Sequence, residues 1–336
     1  MSVTIRDVAQ RASVSIATVS RVLNNTVPVH EDKRARVLEA ARALGYMPNP
    51  AALSLLSKHT HSLGVLLPFA GGEFFSELIT GIDQAAHKQN YHLLISTSHR
   101  NNRTFRASIQ SLEKRVDGLL IMGPEMSVQD MTYLVQRGEP VICINTPGVD
   151  KTVDHFHFDN FSGVRAVTQH LLTYGHRQIA LIRGPLDAQD AKERIDGYRV
   201  AMAEAGLTDT ALLEINGDYT QEAGYAAVPA ILALTPRPTA IIAANDYCAM
   251  GVLSALHEHG IRVPDEMSVA GFDNVPSAQY TAPSLTSVQV PIRDIGAAAT
   301  RRLIEQIETE EPLPAVHHMA HVELVNRQST GPAPTR

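Results

Sequence analysis

The chain has 336 residues, 44% hydrophobic and 19% charged, with net charge −6 and two cysteines, which is too long for one small domain and room for two or three. Cys143 in VICIN and Cys248 in YCAM sit in apolar runs, so they read as buried free thiols, and neither a disulfide framework nor a zinc site is expected. The apolar runs fall short of the ~20 residues of a membrane span, and the opening MSVTIRDVAQ lacks the apolar stretch of a secretion signal, so a soluble cytoplasmic protein is expected.

Along the chain, the first 45 residues read as three short helices. Thr4 caps the first, with Asp7 as its capping-box partner, and Ile5, Val8, Ala9 and Ala12 form its buried stripe. Ser15 caps the second, which runs to about Asn24, and the third spans Asp32 to Leu44 before Gly45. The stretch YMPNPAALSLLSKHTH, residues 46–61, is a linker in which AALSLLS can form a short helix. From Leu63 the pattern changes to short apolar strands, LGVLLP, YHLLIST, DGLLIMG and PVICIN, with amphipathic segments at about 74–89, 104–115 and 127–137. A second series follows: QIALIRG, ALLEI, TAIIAAN and MSVAGF. Strands alternating with helices imply parallel sheets wound on both faces, and two series imply two similar lobes. The closing GPAPTR, residues 331–336, reads as a flexible tail.

Charge is divided unevenly. Residues 1–58 hold eight Lys/Arg against four acids, a net of +4 that leaves −10 for the remainder. A basic head on an acidic body suggests that the head meets a polyanion. The first two helices, joined across Ala12, Ser13 and Val14, fit a helix-turn-helix. Val19, Val22 and Leu23 face the bundle, which leaves Ile16, Ala17, Ser20 and Arg21 outward for a major groove. Arg21 suits guanine O6 and N7, and Ile16 and Ala17 suit thymine methyls. Thr18, Asn24 and Asn25 are candidate phosphate contacts, and the capping Thr4 and Ser15 are counted with the DNA-binding set. A helical bundle with a solvated basic face is the alternative.

The stretch TIRDVAQRASVSIATVSRVLNN…VLEAARALGYMPNPAALSLL resembles the head of the LacI/GalR family of bacterial transcription regulators, and the rest of the chain is similar to that family as well. The resemblance implies a helix-turn-helix domain over residues 1–46 and a hinge helix and linker over 47–60. It implies a two-lobed effector-binding and dimerisation domain of periplasmic-binding-protein type over 61–330. It implies a dimer on a pseudo-palindromic operator of the type TGNAANCGNTTNCA with a central CG step. The hinge would place Leu55 as an apolar wedge in the minor groove. Two departures stand out: Leu53 sits where many members carry Arg or Gln, and His30 sits where a Ser usually caps the third helix. The chain ends without the Leu-rich helix of tetrameric members.

In the body the resemblance places a small-molecule effector, a sugar, sugar acid or nucleoside-like molecule, between the lobes. Phe74 and Phe75 follow the first strand, Met122 and Pro124 the third, and Asn145 and Thr146 the fourth. The second lobe contributes Arg194, with Asp187 and Asp190 in the same loop, then Tyr219, Asn245 and Asp273. Planar Asp, Asn and Arg groups bind vicinal hydroxyls bidentately while aromatic faces cover C–H surfaces. Asp246 is as well suited to capping the helix after its strand as to touching a ligand, and Asp159 and Asn160 to organising the lobe crossover. No P-loop, GxGxxG or GxSxG motif occurs, and HHMAH, residues 317–321, reads as a strand whose histidines are structural or solvent-facing. The function expected is a ligand-responsive repressor of carbohydrate-utilisation genes. A solute-binding protein without DNA function is the alternative, and no motif supports an enzyme on the same scaffold.

Overall fold

The computed structural model describes residues 3–24, 28–46, 59–99, 102–123, 126–207 and 212–335. Asn25, Pro124, the AALSLLS segment with Leu53, Leu55 and Leu56, and the side chain of Asn24 lie outside the described residues. Two compact units are present, residues 1–60 and 61–336.

The first unit holds α1 (Ile5–Arg11), α2 (Ile16–Asn24) and α3 (Glu31–Leu44). Its core is Val8, Ala9, Ala12, Val19, Val22, Val37, Ala40 and Ala41, small side chains that let three short helices approach closely. The Asp7 carboxylate accepts from the Thr4 N–H (2.8 Å) and hydroxyl (2.7 Å), which holds its pKa below the usual range. Between α1 and α2 the chain reverses at Ser13, whose φ of 53° is left-handed, while Val14 N–H returns to Ala9 O at 3.1 Å. Gly45 (φ 62°) ends α3 in the left-handed conformation that a side chain would disfavour.

His30 occupies the N-cap of α3 with extended backbone (φ −50°, ψ 136°) and no side-chain capping bond. A Ser there supplies the missing acceptor, so His30→Ser is expected to stabilise the head by about 1 kcal/mol. Amide exchange in α3 of the full-length protein should then slow roughly fivefold. Unchanged or faster exchange would show that the cap is already satisfied.

The second unit contains two six-stranded sheets. The first lobe uses β1 (Ser62–Leu67), β2 (His92–Thr97), β3 (Gly118–Ile121), β4 (Val141–Ile144), β5 (Asp154–Phe158) and β11 (His317–Ala320), in the order β11-β5-β4-β3-β1-β2, all parallel. The second uses β6 (Ile179–Arg183), β7 (Leu212–Asn216), β8 (Ala240–Ala243), β9 (Ser268–Asp273), β10 (Thr286–Gln289) and β12 (Glu323–Val325), in the order β12-β10-β9-β8-β6-β7. Only β12 is antiparallel within that sheet. Central strands such as β4 and β8 are buried throughout because helices cover both faces, which is why they read as unbroken apolar runs. The helices are α4 (Glu73–Lys88), α5 (Asn102–Leu112), α6 (Val128–Arg137), α7 (Asn160–Thr173), α8 (Gln189–Glu204), α9 (Gln221–Leu232), α10 (Asp246–Glu258) and α11 (Ile292–Glu308).

The chain passes between the lobes after β5, after β10 and after β11. At the first passage Asp159 caps α7 by accepting from Ser162 N–H at 2.9 Å. Asn160 is buried and donates to Phe158 O (3.2 Å) and Glu193 (3.0 Å).

Residues 331–335 depart from expectation and do not form a frayed tail. Gly331 is buried, its N–H donates to Ser268 Oγ (3.1 Å), and its carbonyl lies 3.0 Å from the His176 ring nitrogen. Ala333 N–H reaches Tyr174 O at 2.8 Å. Cys143 and Cys248 are free and buried, and burial pushes both thiols up to about 12. Among the described residues no helix is long and apolar enough to cross a membrane.

Candidate functional site

The head presents α2 as expected. Ile16 (45% exposed), Ala17 and Arg21 face solvent, Ser20 and Thr18 are half-buried, and Val19 and Val22 point into the core. Ser15 caps this helix, accepting from Thr18 N–H at 3.2 Å, with its hydroxyl 2.9 Å from that of Thr18. Thr4 is likewise tied to Asp7. These hydroxyls fix where the helix begins, so any part they play toward DNA runs through groups already used in capping.

In the body, each sheet reverses its strand order at one point, beside β1 in the first lobe and beside β6 in the second. Ligands on such sheets collect outside the strand C-termini at that reversal. A cavity of about 540 Å³ lies there, within the size range of small-molecule sites. Nine sequence-predicted residues line it: Phe74, Phe75, Met122, Asn145, Asp190, Arg194, Tyr219, Asn245 and Asp273. Phe74 packs on the apolar clusters of both lobes, edge-on to Phe75 (5.2 Å between centroids) and Phe158 (5.9 Å). Glu73 of the first lobe accepts from Ser277 N–H of the second at 2.8 Å, so a hydrogen bond spans the cleft.

Arg194 is the most constrained of these side chains. Its Nε donates to Asn160 Oδ1 at 3.0 Å, a terminal nitrogen donates to Ala244 O, and another lies 3.8 Å from Asp273 Oδ1. The guanidinium also covers the Phe272 ring, 3.8 Å from its centroid. Tyr219, at φ 72°, lies against Gly184, where any Cβ would run into its ring. Burial first, and then the neighbouring Asp190, push the Tyr219 hydroxyl well above its usual value.

Asp273 is buried, with φ 105°. Burial raises its carboxyl to about 7, Arg194 opposes the rise and Asp190 adds to it. Between about pH 4 and pH 7 the folded protein therefore keeps a proton that the unfolded chain has lost, and this group weakens the fold as pH rises. A ligand hydroxyl donates to the ionised carboxylate, so ligand affinity is expected to rise about tenfold from pH 6 to pH 8. Calorimetry at both values checks this, and Asp273→Asn should flatten the profile. A wild-type affinity that falls with pH would contradict the assignment.

The structure decides the roles of three further residues: Asp246, left open by the sequence, and Thr146 and Asp187, which it moves off the expected site. Asn245, not Asp246, caps α10, accepting from Cys248 N–H at 2.9 Å, and Asn245 also lines the cavity. Asp246 is fully buried behind the cleft, accepting from Ser287 Oγ and Val275 N–H (2.8 Å), and burial with the nearby Asp273 raises its carboxyl well above the usual range. Thr146 turns inward, its hydroxyl on Ile144 O at 3.0 Å, and Asp187 is exposed and off the cavity. Sequence reasoning missed Phe69, His99, Asp218, Glu222 and Tyr247, which also line the cavity. Phe69 and Tyr247 lie next to predicted positions, in the PFAGG and NDYC stretches, so extending each motif by a few residues would have found them. Among the described residues no group of three or more His, Cys, Asp and Glu is arranged to hold a metal ion.

Residues 4–49 match the family model for bacterial regulatory proteins of the lacI family, and residues 168–330 match a periplasmic binding protein-like domain. The HTH-type transcriptional repressor PurR of Escherichia fergusonii is 35% identical over 336 residues, 99% of this chain and 98% of the relative. The chain belongs to the LacI family of transcriptional repressors. Solved LacI-family structures agree with the fold. The lac repressor dimer bound to operator and the anti-inducer ONPF has a TM-score of 0.85 at 28% identity, covering 98% of this chain and all of that one. A complex of the transcriptional regulator CelR with cellobiose has a TM-score of 0.72 at 29% identity, covering 97% and 99%. The protein is thus a ligand-responsive, DNA-binding LacI-family repressor and not an enzyme, and its LacI-type head sets aside a solute-binding protein without DNA function.

Proposed function

We propose that this repressor acts as a cytoplasmic dimer on a pseudo-palindromic operator of the type TGNAANCGNTTNCA, and that a sugar or sugar acid in the cleft shifts operator affinity at carbohydrate-utilisation genes. The observation that carries the ligand response is the bond from Arg194 to Asn160. A ligand touching Arg194 acts directly on the residue at the first passage between the lobes, so it favours one lobe arrangement over another. Support for the ligand class comes from the conjunction of Asp, Asn and Arg groups with Phe and Tyr faces, and from the cellobiose held by CelR. Support for the dimer and operator comes from the exposed Ile16, Ala17 and Arg21 and from the operator-bound lac repressor dimer.

A planar nucleobase is the second reading, because Phe69, Phe74, Phe75 and Tyr247 bring four aromatic rings to the cavity lining. Thermal unfolding against sugars, sugar acids and nucleosides separates the two, since a ligand at 100 times its Kd adds about 2.7 kcal/mol. The DNA half is tested by selection from random duplexes, where a recovered site without two spaced half-sites and the central CG step would contradict it. Leu55→Ala, at the proposed wedge, is expected to weaken specific operator binding about tenfold with ligand affinity unchanged.

A further inference from the structure

The charge around the cavity narrows the ligand beyond what its shape does. Among the described residues lining it, Glu73, Asp190, Asp218, Glu222 and Asp273 are acids, and Arg194 and His99 are the basic side chains. Arg194 donates to Asn160 and Ala244 O and turns its remaining terminal nitrogen toward Asp273, 3.8 Å away, which leaves that nitrogen for a ligand. His99 shares a hydrogen bond with Thr97 Oγ1 at 3.2 Å. An anionic ligand entering this cleft would meet the carboxylates of Asp190, Asp218 and Glu222, against which the described lining residues set a single guanidinium, that of Arg194, which already faces Asp273.

Two of the acids are placed to meet a cation. Asp218 Oδ1 accepts the N–H (3.0 Å) and hydroxyl (2.6 Å) of Thr220, which fixes its carboxylate at the start of α9. Glu222 follows in the first turn of the same helix, and both are exposed to the cavity mouth. We propose that the cleft selects a hydroxylated ligand bearing a protonated amine, of amino-sugar chemistry, and rejects the corresponding acid. Asp218 and Glu222 receive the ammonium group while Arg194, Asn145 and Asp273 hold hydroxyls. The inference rests on the reading of the cavity as a sugar site and removes the sugar acids from it.

The test is calorimetry on the full-length protein with matched triads: glucose, glucosamine and glucuronate, and the galactose and mannose equivalents. In a triad that binds, the amino sugar should bind about tenfold tighter than the neutral parent and the uronate at least tenfold weaker. The Asp218→Asn/Glu222→Gln double variant should bring the amino-to-neutral ratio close to one, and the amide oxygen that replaces the Asp218 carboxylate still serves Thr220. An equal or tighter uronate, equal affinity across a triad, or a ratio unmoved by the double variant overturns the proposal while leaving the sugar reading intact. Binding by none of the triads overturns both.

Discussion

Arg194→Ala is expected to abolish measurable ligand binding and to lower the melting temperature of the body. The side chain is 8% exposed, so its removal strands Asn160 Oδ1, Ala244 O and the Asp273 carboxyl in a space that water enters poorly. Breaking a buried ion pair from one side costs about 3–5 kcal/mol, which corresponds to roughly 10 °C for a domain of this size. Ligand affinity should fall by about 100-fold or more, since a desolvated, charge-assisted contact is lost. Arg194→Lys keeps the charge but not the planar fork that serves Asn160 and Ala244 together, so it should recover stability only in part. Thermal unfolding and calorimetry read both effects, and wild-type ligand affinity in Arg194→Ala would remove this residue from the binding site.

Arg21→Ala acts on the other half of the molecule. Arg21 is exposed on α2 beside the exposed Ile16 and Ala17, and its side chain takes no part in the head core. Its loss should leave folding intact and cost about 1–3 kcal/mol of operator affinity, with relaxed preference at the guanine it reads. A contact to phosphate alone would instead weaken all sequences alike and reduce the salt dependence by about one unit. Anisotropy titrations on matched operators that differ at that base pair, at fixed salt, separate the two. Equal losses on both duplexes would contradict base reading by Arg21.

The core architecture was legible because buried parallel strands announce themselves: LGVLLP, DGLLIMG and TAIIAAN are apolar on both faces and separated by helix-length segments. The strands β5, β10 and β12 were missed. DHFHF alternates buried and half-buried positions at one side of the sheet, TSVQ buries hydroxyls, and ELV is only three residues long. The cavity residues came from motif positions, and nine of them converge. Which lobe faces meet across the cleft depends on long-range packing, so Glu73 reaching Ser277 could not be read from either stretch alone. The Asn245–Asp246 pair shows the same limit. Both types cap helices well, and only the burial of Asp246 against Ser287 and Val275 decides which one does.

If the cleft regulates the head, occupying one must change what the other binds. A labelled operator duplex, identified by selection, is titrated with the full-length protein, with and without a ligand found by thermal screening. A saturating ligand is expected to change operator affinity by about tenfold or more, and Arg194→Ala should bind the same duplex without responding. A ligand that saturates the cleft yet leaves operator affinity unchanged would show that the two halves of the chain work independently.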